Sequence, residues 1–332
     1  MDGSAPNLHI GTEMAAIDAA EWDALAGSAN PFISHAFLQA LEKGGAVGGD
    51  SGWDPMHLLL RSDDGQLLGA MPNYLKHHSY GEYIFDHGWA NAFERAGGAY
   101  YPKLLAAVPF TPATGPRFLV RDNRADLKTA LAKGMETLVE KYQLSSAHIN
   151  FLPSDDAHQL AAAGWFDRTS IQFHWHNQNY ADFDDFLDHL SSRKRKNIRK
   201  ERASITKAGV TMLRLTGAAI TQDHIDAFFR FYTSTIDRKW GGAYLTHGVL
   251  TQLGKPMADR ILLVIAEYEG NIIGGALNFI GDDALYGRNW GADIDIPNLH
   301  FEACYYQAID FAIENGLSRV EAGAQGFHKV QR

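Results

Sequence analysis

The sequence has very little cysteine and no long apolar run. Cys304 is the only cysteine among 332 residues, which excludes an internal disulfide and a zinc site built from several cysteines. No segment approaches the roughly 18 consecutive apolar residues of a membrane-spanning helix, and the amino terminus lacks the pattern of a secretory signal. These absences predict a cytoplasmic protein without a membrane span.

Several catalytic motifs and an overall positive charge are also missing. The chain contains no HExxH, P-loop or GxSxG pattern, so metal hydrolases, P-loop NTPases and serine hydrolases have no support from its residues. Its net charge of −9 argues against a surface that binds nucleic acid everywhere. With 45% apolar residues, the length of 332 residues predicts two globular domains.

A strand-turn-strand pattern over residues 58–76 returns without a gap at 263–281, an offset of 205 residues. Both copies have an acidic-Gly turn between apolar stretches, and each precedes a longer helical pattern. The match predicts a duplication, although unrelated hairpins share such turns, so chance similarity stays an alternative. The identical pairs are Leu58/Leu263, Gly65/Gly270, Gly69/Gly274 and Asn73/Asn278.

The duplication predicts two α/β domains, covering residues 1–177 and 178–332. In the first, we expect a third strand at 80–89 and a last strand at 169–175. The prolines of 97–116 predict an irregular functional loop that accounts for an insertion of 32 residues.

Two further expectations concern the second domain. A helical pattern runs from 182 to 208 and contains a basic run at 191–202. Compared with the first domain, the second is expected to be incomplete at its carboxyl end, which would leave a sheet edge uncovered.

The order of these elements resembles the GNAT acyltransferase fold, and two such units in tandem resemble the Fem-type aminoacyl transferases. Four phrases are similar to the bacterial FemAB-like family of predicted N-acyltransferases, which is associated with peptidoglycan biosynthesis or recognition. They are SSRKRKNIRKER from Ser191, DRKWGGAYLT from Asp237, HFEACYYQAIDFAIENGL from His300 and EAGAQGFHK from Glu321. The resemblance implies a mixed α/β fold with two tandem GNAT-like domains, and transfer of an acyl or aminoacyl group to an amine.

Acyl transfer to an amine needs a proton acceptor, a proton donor and groups that stabilise an oxyanion. His300, Glu302 and Tyr306 lie at the start of a strong helical pattern, and a spacing of four puts Glu302 and Tyr306 on one helix face. We predict Glu302 as the base and Tyr306 as the acid. The alternative is that Glu302 complements the helix dipole while the tyrosines pack against the sheet.

Three groups of residues are candidate substrate ligands. A Gly-rich segment near the carboxyl end allows close approach of a ligand to the backbone, aromatic and basic residues stand near predicted strand ends, and the first domain has a polar and aromatic collection suited to a glycan or peptide. Ordinary packing is the alternative for each. The residues are Glu321, Gln325 and His328; Lys239, Trp240, Arg288 and Trp290; and Tyr83, Asp86, Tyr101 and Lys103.

The basic run predicts a phosphate-binding stripe on one helix face, formed by Arg195, Lys196, Arg199 and Arg202. Such a stripe suits the phosphates of tRNA, a nucleotide-linked sugar or an anionic lipid. A solvated face that aids solubility is the alternative.

The donor is predicted to be acyl-CoA or aminoacyl-tRNA, and the resemblance implies no tightly bound cofactor and no metal. The stretch 295–301 lacks the glycine pattern with which GNAT enzymes bind the pyrophosphate of coenzyme A, which favours aminoacyl-tRNA without excluding acyl-CoA. The acceptor is expected to be a small molecule or a peptide or glycan precursor. Two other interpretations stay open: a binding module without catalysis, and RNA binding through the basic helix.

Overall fold

The computed structural model of the chain describes residues 6–237 and 242–323. The chain divides into two compact units, and the predicted boundary after residue 177 lies inside the second of them. The first unit comprises Met1–Thr169 and Tyr244–Val249, and the second comprises Ser170–Ala243 and Leu250–Arg332.

The first unit contains two four-stranded sheets, with strand orders β1-β3-β4-β7 and β2-β5-β6-β8. Strands β6 and β8 run parallel, and the other neighbours run antiparallel. Helix α4 covers both sheets because its apolar residues recur every three or four positions. The strands are β1 Asn7–Gly11, β2 Trp53–Pro55, β3 His57–Arg61, β4 Leu67–Met71, β5 Asn73–Lys76, β6 Lys103–Ala106, β7 Leu119–Val120 and β8 Ala147–Ile149; the helices are α1 Ala19–Ala26, α2 His35–Lys43, α3 His87–Arg95, α4 Ala125–Tyr142 and α5 Ser154–Ala162.

The second unit has one six-stranded sheet in the order β10-β11-β12-β13-β14-β9, in which β13 and β14 run parallel. A long helix, Leu299–Glu314, packs against this sheet through residues such as Ala303, Ile309 and Ile313. Its first part is α10 Leu299–Phe301, followed by a π-turn at Glu302–Tyr306 and by α11 Gln307–Glu314. The other elements are β9 His174–His176, α6 Phe183–Asp188, α7 Ser192–Lys207, β10 Val210–Leu215, α8 Gln222–Asp237, α9 His247–Leu253, β11 Ile261–Tyr268, β12 Asn271–Ile280, β13 Ala284–Ala292 and β14 Arg319–Glu321.

The two predicted hairpins form, and each contains an equivalent hydrogen bond from an asparagine side chain to a backbone carbonyl. Asn73 Nδ2 donates to Met56 O at 3.1 Å, and Asn278 Nδ2 donates to Leu262 O at 3.2 Å. The asparagines are 205 residues apart, but their acceptors are 206 apart. The gap-free match is therefore wrong by one residue in the turn, and the common origin of the hairpins stays a prediction.

A β-bulge also occupies the same place in both hairpins. Leu68 is the extra residue of β4, and Ile273 is the extra residue of β12. Each bulge residue directly precedes one of the matched glycines, Gly69 and Gly274. A bulge bends its strand, so the two hairpins curve at corresponding positions.

The strand predicted at 80–89 is wrong. This segment forms turns and α3, because Gly81 and Tyr83 have φ angles of 81° and 58° and two of its carboxylates are used in buried ion pairs. The third strand of the first unit is instead β6, inside the region predicted to be irregular. The insertion therefore lies before this strand, at residues 77–102, where the second unit has only the turn 281–283. We call residues 77–102 the insert.

The last strand predicted for the first domain belongs to the second unit. β9 pairs antiparallel with β14, so that Trp175 lies opposite Val320 and His174 opposite Glu321. The edge of β14, expected to be uncovered, is thus covered by residues that precede the second unit's other strands.

The helix predicted over 182–208 is also broken. α6 ends at Asp188, and α7 starts after Ser191, whose hydroxyl accepts from Lys194 N at 3.5 Å. The serine satisfies a free amide at the new helix start, as N-caps do. The break lets α6 turn its carboxylates toward α7.

Candidate functional site

The insert of the first unit contributes to a group of charged and polar side chains, mostly buried apart from the exposed Arg168, which we call the Lys103 cluster. The insert supplies Glu82, Asp86 and Tyr100, while β5, β6 and β8 supply most of the remaining members. The cluster consists of Lys76, Glu82, Asp86, Tyr100, Lys103, His148 and Arg168.

Lys103 is the centre of this cluster and is fully buried. Its Nζ donates to Glu82 Oε2 at 2.7 Å and to Asp86 Oδ2. Asp86 also accepts from Tyr100 Oη at 3.0 Å and from Arg168 at 2.7 Å. Because Asp86 uses its carboxylate in these contacts, it does not cap α3, although it precedes that helix.

Burial shifts several pKa values in the cluster. Desolvation raises the pKa of Glu82 to about 7 despite the attraction of Lys103, and it lowers the pKa of Lys76 to about 7. The pKa of His148 falls to about 4 through burial and the nearby Lys103. Glu82 Oε1 has no hydrogen-bond partner among the described residues. Such shifts are frequent at functional sites but also occur in structural ion pairs.

The structure brings together part of the predicted first-domain collection. Asp86 and Lys103 are in direct contact, and Tyr101 shares a hydrogen bond with Ser79 of the insert. Tyr83 lies apart from this contact, against Tyr244, with ring centroids 6.2 Å apart. Their role as substrate ligands stays a prediction.

In the second unit, Glu302 and Tyr306 both face α7, as their spacing of four predicts, although a π-turn lies between them. The π-turn makes the N–H of Gln307 donate to the carbonyl of Glu302, five positions earlier. Gln307 Nε2 also donates to Glu302 Oε1 at 2.7 Å. The spacing argument assumed a regular α-helix, and the π-turn adds a neighbour that it did not include, because Gln307 also lies beside Glu302.

Glu302 and Tyr306 face α7 as parts of a polar seam. The residue that precedes the long helix and three positions within it, each four residues after the last, contact α7. Asn298 bonds to Ser204 at 3.1 Å, Glu302 to Arg202 at 3.2 Å, Tyr306 to Glu201, and Asp310 to Arg202 at 3.2 Å. We call these residues the α7 seam. It gives Glu302 and Tyr306 a structural role, and their catalytic role stays a prediction.

The basic run divides into two sets on α7. Arg195 bonds to Asp188 at 3.0 Å, Arg199 to Asp184 at 2.9 Å, and Arg202 belongs to the seam. Lys196 is exposed. The arginines of the predicted stripe are thus paired with carboxylates, whereas Arg193, Lys194, Lys196 and Lys200 are exposed without a carboxylate partner among the described residues. Phosphate binding by the stripe stays a prediction.

Glu321 lies where the pairing of β13 with β14 ends. It stands beside Tyr286 of β13 and opposite His174 of β9. Its Oε1 accepts from Arg319 Nε at 3.0 Å, and its Oε2 lies 3.8 Å from His174 Nε2. The pKa of His174 is lowered by burial, although Glu321 opposes the shift, and the pKa of Tyr286 is raised to about 12.

His300 and Trp290 meet at the start of the long helix. Their ring centroids are 5.7 Å apart, and His300 also contacts Tyr305 at 5.7 Å. Arg288 lies on the same strand as Trp290. Four predicted residues fall outside the described ranges: Lys239, Trp240, Gln325 and His328.

Sequence reasoning missed several members of these groups. Arg168 contacts Asp86 from 82 positions away, and Gln307 reaches Glu302 only through the π-turn. His174 meets Glu321 because β9 crosses into the second unit's sheet. The phrase around Glu321 gives no local signal for such a partner.

The sequence matches the FemAB-like family, described as acting in peptidoglycan biosynthesis or recognition, over residues 13–332. The chain therefore belongs to this family. A search among curated proteins gives no match. Within the described residues, no helix is both long enough and apolar enough to cross a membrane.

Similar solved structures support the predicted fold class, a mixed α/β arrangement of GNAT-like units. The carboxyl-terminal domain of a putative lysylphosphatidylglycerol synthetase from Agrobacterium fabrum has a TM-score of 0.56 at 10% identity, covering 93% of this chain and 78% of that one. FemX has a TM-score of 0.55 at 13% identity, covering 93% of this chain and 88% of that one. L-PGS from Bacillus licheniformis has a TM-score of 0.54 at 11% identity, covering 94% of this chain and 77% of that one.

Proposed function

We propose that this protein transfers an acyl or aminoacyl group to an amine of a peptidoglycan-related acceptor. The match to the FemAB-like family over residues 13–332 carries the proposal. The fold shared with FemX and with lysylphosphatidylglycerol synthetase agrees with aminoacyl transfer, since one of these names describes attachment of an amino acid. Coenzyme A and tRNA are both retained as donor carriers.

The reaction is assigned to the second unit, at the carboxyl end of β14, where its pairing with β13 ends while β13 continues to Ala292. Ligands of open α/β sheets bind at the carboxyl ends of parallel strands. Glu321 and Tyr286 meet there, and the strand pair ends with them. The acidic side chain suits an incoming ammonium group, which a carboxylate binds through charge-assisted hydrogen bonds.

His174 is our candidate for the proton acceptor. The amine nitrogen attacks the donor's carbonyl carbon and gives a proton to His174. The bond from that carbon to the leaving oxygen or sulfur breaks, and the leaving group takes a proton from the protonated His174 and departs as an alcohol or a thiol. A base must be unprotonated at working pH, and the lowered pKa of His174 keeps its ring neutral at pH 7. Its Nε2 lies 3.1 Å from Gln172 Oε1, so a ring donating there keeps Nδ1 free to accept.

The test is a transfer assay with two labelled donors, an acyl-coenzyme A and an aminoacyl-tRNA, and amine-bearing peptidoglycan precursor peptides. We expect His174→Ala to lower kcat by about 100-fold or more, in the range typical of a lost general base. For the wild-type protein, the rate should fall with decreasing pH only below pH 6.5, because the pKa of His174 lies below its ordinary value of 6.5.

Glu302→Gln and Tyr306→Phe separate this assignment from the predicted acid and base. Both positions belong to the α7 seam, so we expect lower stability and a smaller loss of kcat than for His174→Ala. A complete loss of kcat in either variant with unchanged stability would favour the original prediction. Binding of precursor peptides without transfer from either donor would favour a recognition module, the other role in the family description.

The exposed cations of α7 are proposed to hold phosphates of the donor. Arg193, Lys196 and Lys200 lie on one helix face, opposite the paired arginines. Charge reversal at these three positions should weaken donor binding and reduce its dependence on salt. Unchanged donor affinity would contradict this proposal without affecting the assignment of His174.

A further inference from the structure

The insert exposes an unusual number of large aromatic side chains. Among the described residues, Tyr80 is 59% exposed, Phe85 42%, Trp89 66% and Phe93 43%. The other exposed large apolar side chains are scattered singly, as is ordinary for a protein surface. Four within 14 residues form a contiguous segment that calls for a partner.

The spacing of these residues makes one stripe. Phe85, Trp89 and Phe93 are four positions apart, so they follow one side of α3 and its entry. His87 extends the aromatic surface, since its ring stacks on Phe85 at 5.8 Å and lies 6.4 Å from Tyr80. We call Tyr80, Phe85, Trp89 and Phe93 the aromatic stripe.

The stripe has little packing beneath it except for the Lys103 cluster. Ala90 is the one buried residue of α3. The insert is nevertheless held firmly, because Glu82 and Asp86 are tied to Lys103, and Arg168 donates to Phe85 O at 3.1 Å. Buried ion pairs thus hold an exposed apolar surface in place, which is not what folding alone requires.

The charge around the stripe differs from that of the whole chain. The insert contains three carboxylates, at Glu82, Asp86 and Glu94, of which the first two are buried and paired. Four basic side chains, namely Lys76, Arg95, Lys103 and Arg168, and one further carboxylate, Asp54, belong to it or contact it. Four positive and four negative charges make this region neutral in a chain of net charge −9, and the exposed Arg95 and Arg168 outnumber the exposed Glu94.

We propose that the aromatic stripe is an interfacial docking surface for an anionic phospholipid membrane. Trp, Tyr and Phe with flanking arginines suit the boundary between headgroups and acyl chains, where rings have one apolar and one wet side. Arg95 on α3 and Arg168, which donates to Phe85 O, are exposed, and exposed cations are attracted to anionic lipid phosphates. This inference is independent of the proposed transferase activity.

The experiment is co-sedimentation of the full chain with phosphatidylcholine vesicles that contain or lack phosphatidylglycerol. We expect binding to the vesicles with phosphatidylglycerol and a reduction of at least about tenfold in the Trp89→Ser/Phe93→Ser double variant. Tyr142→Ser is the matched control, because Tyr142 is a 49% exposed aromatic residue of the same unit outside the insert. It should bind like the wild type.

Three results would overturn the proposal. They are no binding of the wild type to either vesicle, equal binding of the double variant, and self-association of the wild type that the double variant abolishes without any vesicle binding. The last would assign the stripe to a contact between copies. Both substituted residues are exposed, so stability of the variants should change by no more than a few degrees in Tm.

Discussion

At the scale of single residues, Glu82 and Lys76 respond to the same burial in opposite directions. The pKa of Glu82 is raised from 4.5 to about 7, and that of Lys76 is lowered from 10.5 to about 7. Between pH 4.5 and 7 the folded state binds more protons than the unfolded state, through Glu82. Between pH 7 and 10.5 the unfolded state binds more, through Lys76. The free energy of unfolding should therefore fall toward pH 7 and rise above it.

Glu82→Gln tests this prediction. The amide cannot titrate, so the variant should lose the decline between pH 4.5 and 7 and keep the rise above pH 7. Urea unfolding at a series of pH values measures both. Lys76→Met should keep the decline in the free energy of unfolding below pH 7 and lose the rise above it. Parallel curves of unfolding free energy against pH for the wild type and Glu82→Gln would contradict the raised pKa of Glu82.

Residues near one another in sequence were the easiest to predict. The polar and aromatic composition around Asp86 marked a segment that supplies members of the Lys103 cluster, and Lys103 is only 17 positions away. The contacts of Arg168 and His174 could not be predicted, because each depends on where a distant segment crosses a sheet. Local pattern contains no information on that crossing.

At the scale of elements, α7 has two charged faces that look alike in sequence. Seven cations within Arg193–Arg202 gave no indication of which ones meet carboxylates. Which cations are paired depends on α6, which ends early and presents Asp184 and Asp188. It also depends on the α7 seam along the long helix. The strong helical pattern that starts near His300 is confirmed as the helix Leu299–Glu314.

Arg202→Met should destabilise the second unit by about 2–3 kcal/mol. The substitution leaves the buried Glu302 without its cation, and the cost is below that of a fully buried pair because Arg202 is 27% exposed. Arg199→Met is the matched control on the same helix. Its pair with Asp184 is exposed, so the loss should be about 0.5 kcal/mol or less.

Chemical denaturation followed by circular dichroism compares the two variants. Equal losses of free energy would contradict the view that the α7 seam, rather than surface ion pairing, attaches α7.

The strand wrongly predicted at 80–89 also depends on ion pairs with distant residues. Its alternating aromatic pattern suits a strand, but Glu82 and Asp86 are drawn into ion pairs that only the folded sheet provides.

At the scale of the whole molecule, β9 determines where the chain can be divided. A fragment that begins at Ser170 retains β9, whereas one that begins at Gln178 exposes the edge of β14 and loses the bond from Asn177 N to Ser318 O. Uncovered strand edges pair with other chains. We expect the shorter fragment to form larger species by light scattering, and equal behaviour of both fragments would contradict this role for β9.

The position of β9 also has a consequence for the time course of synthesis. Trp175 leaves the ribosome roughly 145 residues before its partner Val320, a delay on the order of 10 s at ordinary elongation rates. During that interval, three residues that belong inside a sheet have no strand beside them. The nascent protein must therefore keep this short segment from pairing elsewhere until Arg319–Glu321 have been translated.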